Sequence, residues 1–170
     1  MNNRVVAIDP KKHLLWCVTK QPSGNLLCTA TVPTYPILLD YMRMLKRIGV
    51  THIAYETPYI QRNAKTYADL QHVLKMTNEV ADEAGMTFEE VAPTTWQAAM
   101  LFKQGESARN VKRPEAKKRS LILASHIAHV KIHNEDLADA ICIWRYATGN
   151  TDGDTYRSMN KCRKSNGARR

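Results

Sequence analysis

The chain has 170 residues, 44% of them hydrophobic, and a formal net charge of +9. That length bounds it to one domain with a sizeable core, and the composition is that of a folded globule. It contains no long apolar run and no basic amphipathic helix with aromatic anchors, so nothing favours a membrane; the charge favours a polyanion such as nucleic acid.

Four cysteines, Cys17, Cys28, Cys142 and Cys162, stand at no metal-ligand spacing, and three fall in core-like segments. They read as reduced thiols, which suits a cytoplasmic protein of a bacterium or a phage-infected cell. The first residues lead directly into a strand, so no signal peptide is expected.

In chain order, Arg4 to Ile8 is a short β-branched run that reads as a buried strand, with Asp9-Pro10 at its tip. Lys11 and Lys12 form a basic turn. Leu14 to Lys20 and Leu26 to Val32 are two further strands, joined by the turn signal Pro22-Ser23-Gly24-Asn25. The three strands read as an antiparallel meander. Pro36 suits the first turn of a helix reaching about Arg47, with Ile37, Leu38, Tyr41, Met42 and Leu45 as its apolar stripe and Gly49 as its stop. Val50 to Tyr55 is the fourth strand and ends in Glu56-Thr57-Pro58. A helical crossover joins strands three and four, so strand four should run parallel to strand one, which brings Glu56 beside Asp9.

Gln61 to Ala84 is the longest periodic segment, with Tyr67, Leu70, Leu74, Thr77, Ala81 and Ala84 recurring three and four apart and Gly85 closing it. Met86 to Val91 is a fifth strand, and a short helix follows through Trp96, Met100 and Leu101, with Trp96 read as core. From Lys103 to Arg119 the chain is basic: Lys103, Arg109, Lys112, Arg113, Lys117, Lys118 and Arg119. A charge run is commonly a solvated face; beside an acidic site it also supplies phosphate contacts. Pro114 opens a helix that continues to about His129. His126, His129 and His133 follow, without a second ligand pair at zinc spacing. One of them could assist an attacking water or contact phosphate.

Asn134 to Thr148 reads as a buried helix. Asn134 is an N-cap, Glu135 and Asp136 put negative charge in the first turn, and Leu137 to Trp144 is apolar nearly all round. Asp136 and Asp139 lie i, i+3 on one face. Two solvated aspartates on a capped helix and a metal-binding pair are equally good readings of that helix alone. Residues 149–170 are polar and basic and read as a flexible or loosely docked tail on a domain of residues 1–148.

Three separate segments thus present carboxylates at element ends, and in open α/β sheets ligand sites form outside the strand termini. V-V-A-I-D-P at 5–10, A-Y-E-T-P-Y at 54–59 and D-L-A-D-A at 136–140, in this order, resemble the RuvC family of Holliday-junction resolvases within the RNase H-like nucleases. Cellular members have a glycine after the D-P, where this chain has Lys11. The resemblance implies an α/β RNase H-like fold: a five-stranded mixed sheet, three antiparallel strands and then parallel ones, flanked by helices. It implies Asp9, Glu56, Asp136 and Asp139 as catalytic metal ligands, and a homodimer formed through the 61–84 helix. Phosphodiester hydrolysis by such a cluster uses two divalent ions, Mg2+ with Mn2+ as substitute, to activate water and relieve the leaving oxygen. Asp9 would bridge the ions, Glu56 and Asp139 would hold one each, and Asp136 would help. The resemblance also places Tyr59 where family members carry an aromatic that stacks on junction bases. Arg62 and Asn63 beside it, with Lys11, Lys12, Lys112, Arg113, Lys117 and Lys118, are the expected DNA contacts. The expected activity is magnesium-dependent cleavage of branched DNA in recombination, repair or phage DNA processing. An RNase H-like nuclease acting on RNA–DNA hybrid or RNA, and an inactive branched-DNA-binding module, are the alternatives.

Overall fold

A computed structural model describes residues 4–11, 13–58, 63–149 and 155–156. Five strands, β1 (Arg4–Pro10), β2 (Leu15–Lys20), β3 (Leu26–Thr31), β4 (Val50–Glu56) and β5 (Thr87–Val91), form one sheet in the order β3-β2-β1-β4-β5. β1, β2 and β3 pair antiparallel, while β4 pairs parallel to β1 and β5 parallel to β4. This is the expected five-stranded mixed sheet.

Helices cover both faces. α1 (Tyr35–Arg47) and α2 (Ala64–Glu83) lie on one; α3 (Pro93–Met100), α4 (Arg113–Ala128) and α5 (Glu135–Ala147) lie on the other. The two-residue period of a strand divides β1 between them. Val6 and Ile8 pack with Leu38, Met42 and Leu45 of α1; Val5 and Ala7 pack with Ala138, Ile141 and Cys142 of α5. The same alternation sends Ala54 of β4 to the α5 side and Tyr55 to the α1 side. Asp9 and Glu56, the next residues of like parity, therefore emerge on the α5 side at neighbouring strand ends.

Local chemistry sets the boundaries. Pro36 sits in the first turn of α1, where its missing N–H is not needed. Gly49 takes φ +89° between α1 and β4, a conformation that side-chain-bearing residues rarely adopt. α2 starts at Ala64, capped by Asn63, whose side-chain oxygen accepts from the Lys65 and Thr66 amides at 3.1 and 3.2 Å. The helix segment expected from Gln61 thus begins, in part, outside the described residues. Leu70, Val73, Leu74, Thr77, Val80 and Ala81 of α2 are buried against the body, which leaves His72, Lys75, Glu79 and Asp82 on its exposed side. No helix among the described residues is long and apolar enough to cross a membrane.

Candidate active site

Asp9 is fully buried near the end of β1, the sheet's central strand, where it pairs with Trp16 of β2 just past the last β1–β4 pair. Glu56 ends β4 one position past the Ile8–Tyr55 pair. Asp136 and Asp139 come from the first two turns of α5, where the Asn134 side chain caps the helix by accepting from the Leu137 amide at 2.9 Å. Asp139 is buried, and the Asp136 side chain is 40% exposed.

The four carboxylates are held by four different side chains. The Trp96 indole Nε1 donates to Glu56 Oε1 at 2.8 Å. Ser120 Oγ donates to Asp139 Oδ1 at 2.7 Å, and Lys117 Nζ to Asp139 Oδ2 at 2.5 Å. Lys11 Nζ lies 3.0 Å from Asp9 Oδ2 and 3.2 Å from Asp136 Oδ1, and Lys117 Nζ is 3.9 Å from that same Asp136 oxygen. Asp9 Oδ1 is buried with no hydrogen-bond partner, and the Lys11 approach to Oδ2 lacks hydrogen-bond geometry.

Electrostatics follow from that packing. Burial, reinforced by the Glu56 charge, pushes the Asp9 carboxyl well above the usual range; Lys11 opposes this only in part. Burial also raises Glu56, while the neighbouring Asp9 carboxyl and the Trp96 hydrogen bond pull the other way. For Lys11 burial alone would lower the ammonium, but the Asp9, Asp136 and Glu56 charges outweigh it and hold it protonated. The cluster is short of positive charge at Asp9.

Among the described residues no three His, Cys, Asp or Glu side chains are placed to hold one ion between them; two ammonium groups stand among the carboxylates instead. The donor set still fits a hard divalent cation. It is made of carboxylate oxygens alone, one of them buried and unpartnered, in a site where burial disfavours the charged forms of Asp9 and Glu56.

Glu56, Asp136 and Asp139 open into a cleft of about 500 Å³. Glu56, Lys11, Lys117, Asp136 and Asp139 line its polar side, and Leu70, Phe102, Val111 and Pro58 its apolar side. Lys112, Arg113 and Lys118 are exposed at the start of α4 beside it. Tyr59, Arg62 and Lys12 lie outside the described residues. Asn63 caps α2 with its oxygen.

Arg119 differs from its basic neighbours. It is buried, and its guanidinium contacts Glu106 at 2.5 and 3.2 Å, Glu115 at 2.8 Å and the Leu101 carbonyl at 3.2 Å. It ties the 103–112 loop to α4 and is no phosphate contact. His126 and His129 stand at the far end of α4, nine and twelve residues beyond Lys117, or roughly 13 to 18 Å along the axis. Three supports of the site were missed in the sequence: Trp96, Ser120 and the inward aim of Lys117. The one available signal was that Lys117 and Ser120 share the i, i+3 spacing of Asp136 and Asp139.

An antiparallel meander followed by parallel strands, with helices on both faces and acids at the central strand ends, defines the RNase H-like fold, in its RuvC-like form. Thermus thermophilus RuvC in complex with a Holliday junction substrate has a similar structure, with a TM-score of 0.66 and 17% identity over 90% of this chain and 98% of that one. A second Thermus thermophilus RuvC structure gives a TM-score of 0.63 and 19% identity over 89% and 98% of the two chains. No protein-family model and no curated protein sequence matches the chain.

Proposed function

We propose that this protein is a structure-specific endonuclease that hydrolyses phosphodiester bonds in four-way or otherwise branched DNA. The observation that carries the reading is that Glu56 of β4 and Asp136 and Asp139 of α5 line one cleft, with Asp9 of β1 buried at the neighbouring strand end, joined to Asp136 through Lys11 and with one of its oxygens unpartnered. A buried acid that one partly exposed ammonium offsets only in part is costly, and a binding site for a divalent cation accounts for that cost.

Asp9, Glu56, Asp136 and Asp139 would hold Mg2+, with Mn2+ as substitute and two ions per site. When bound, the metal makes a water nucleophilic and relieves charge on the leaving oxygen. The chain's own residues prepare that chemistry. Trp96 fixes the Glu56 carboxylate, and Ser120 and Lys117 fix Asp139, so the acids need little reorganisation. Lys112, Arg113 and Lys118 offset phosphate charge at the cleft mouth. Leu70, Phe102 and Val111 give the same cleft an apolar wall. Tyr59, Arg62 and Lys12 belong to the proposed DNA contacts. A homodimer through α2 and action in the cytoplasm complete the proposal.

The test is incubation of the protein with labelled four-way junction, linear duplex and RNA–DNA hybrid, each with magnesium. Paired symmetric nicks in the junction are expected. Cleavage of the hybrid with the junction intact would move the protein to ribonuclease chemistry, and junction binding without cleavage would leave a binding module.

A further inference from the structure

Lys11 follows directly on the strand that carries Asp9. Its backbone N–H donates to the Leu14 carbonyl at 2.8 Å in a tight turn, and its side chain lies back over the strand end. The ammonium is 3.0 Å from Asp9 on β1 and 3.2 Å from Asp136 on α5. It bridges the two elements that supply the candidate metal ligands and touches the oxygens that a divalent ion would use. Its side chain is one-third exposed, so a four-carbon stem with a charged head can leave without disturbing the strand. Lys117 sits differently: it is more buried, it bonds Asp139 from α4, and it reaches the Asp136 oxygen only at 3.9 Å.

We propose that Lys11 is a tethered counter-ion, which occupies the Asp9 and Asp136 carboxylates in the metal-free protein and must be displaced before a divalent cation binds there. This rests on the nuclease reading of the same cluster. Lys11 has two opposed effects. It holds β1 and α5 together when no metal is present, and it competes with metal for the same oxygens. At the 3.0 Å separation, one unit charge is worth roughly a factor of ten in binding even with the full screening of water. Once displaced, the ammonium is free to meet a phosphate of the bound nucleic acid.

The experiment is calorimetric titration of the full chain with Mn2+ and with Mg2+, without nucleic acid, on wild type, Lys11→Met and Lys11→Arg. Melting curves with and without metal accompany it. The Met variant should bind metal on the order of tenfold more tightly, melt lower than wild type without metal, and gain more from metal. The Arg variant keeps the charge and should stay near wild type. Lys11→Gln replaces Lys11→Met if the latter does not fold. Equal or weaker metal binding by the neutral variant overturns the counter-ion role and leaves the nuclease reading standing. Absence of metal binding in every variant overturns both.

Discussion

Replacing Trp96 with Phe separates the part this residue plays in the core from its part in the site. The ring is fully buried on the α5 side of the sheet, and its Nε1 donates to Glu56 at 2.8 Å. A buried hydrogen bond to a charged acceptor is worth about 1.5–3 kcal/mol, and the smaller ring costs about 1 kcal/mol more in lost packing. For a chain of this size that sum lowers the melting temperature by roughly 5–15 °C. The pH dependence distinguishes the two parts. Burial raises the Glu56 pKa above its ordinary 4.5, so ionisation of Glu56 removes stability as pH rises through the raised value; the Trp96 bond limits that loss. Without the bond the loss is larger. The cost of Trp96→Phe should therefore be greatest near about pH 8 and shrink near about pH 4, where Glu56 is mostly protonated both folded and unfolded. Thermal or urea unfolding in chelator at both pH values is the assay. A cost independent of pH would refute the claim that Trp96 holds the Glu56 carboxylate and leave it a packing residue only.

Asp9→Asn should stabilise the metal-free protein at neutral pH by about 1–3 kcal/mol while abolishing cleavage. The Asp9 pKa is raised, so its charge removes stability as pH rises through the raised value; the gain seen by urea unfolding should disappear in acid. Glu106→Gln should loosen the 103–112 loop by about 1 kcal/mol after allowance for solvent screening, visible as faster hydrogen exchange there. Arg119 holds the Glu106 pKa down at about 2, so this ion pair contributes above the ordinary 4.5 and is lost as pH falls toward 2; the Gln variant should lack that acid-limb loss.

The antiparallel meander and the parallel β1–β4 pairing were legible because short β-branched runs, turn residues and one helical crossover admit few topologies. Asp9 and Glu56 were legible for the same reason: each ends a strand, and alternation sends both to one face. The supports of the acids were not. A tryptophan read as core says nothing about where its N–H points, and Trp96 points at Glu56. Arg119 has the same charge as Lys118 beside it, and only burial against Glu106 and Glu115 separates a structural cation from a surface one. Lys11 looked like half of a basic turn, and its inward fold depends on the Lys11–Leu14 turn and on Asp136, 125 residues later in the sequence.

The central claim is that one carboxylate cluster cuts and a separate basic surface binds. The most direct measurement compares wild type with Asp139→Asn on a labelled four-way junction with magnesium, scoring nicking and gel-shift affinity in the same samples. The account predicts paired nicks by wild type, none by the variant, and junction affinity within a few-fold of wild type because Lys112, Arg113 and Lys118 are untouched. A variant that still nicks the junction, or that loses binding while retaining cleavage, would contradict it.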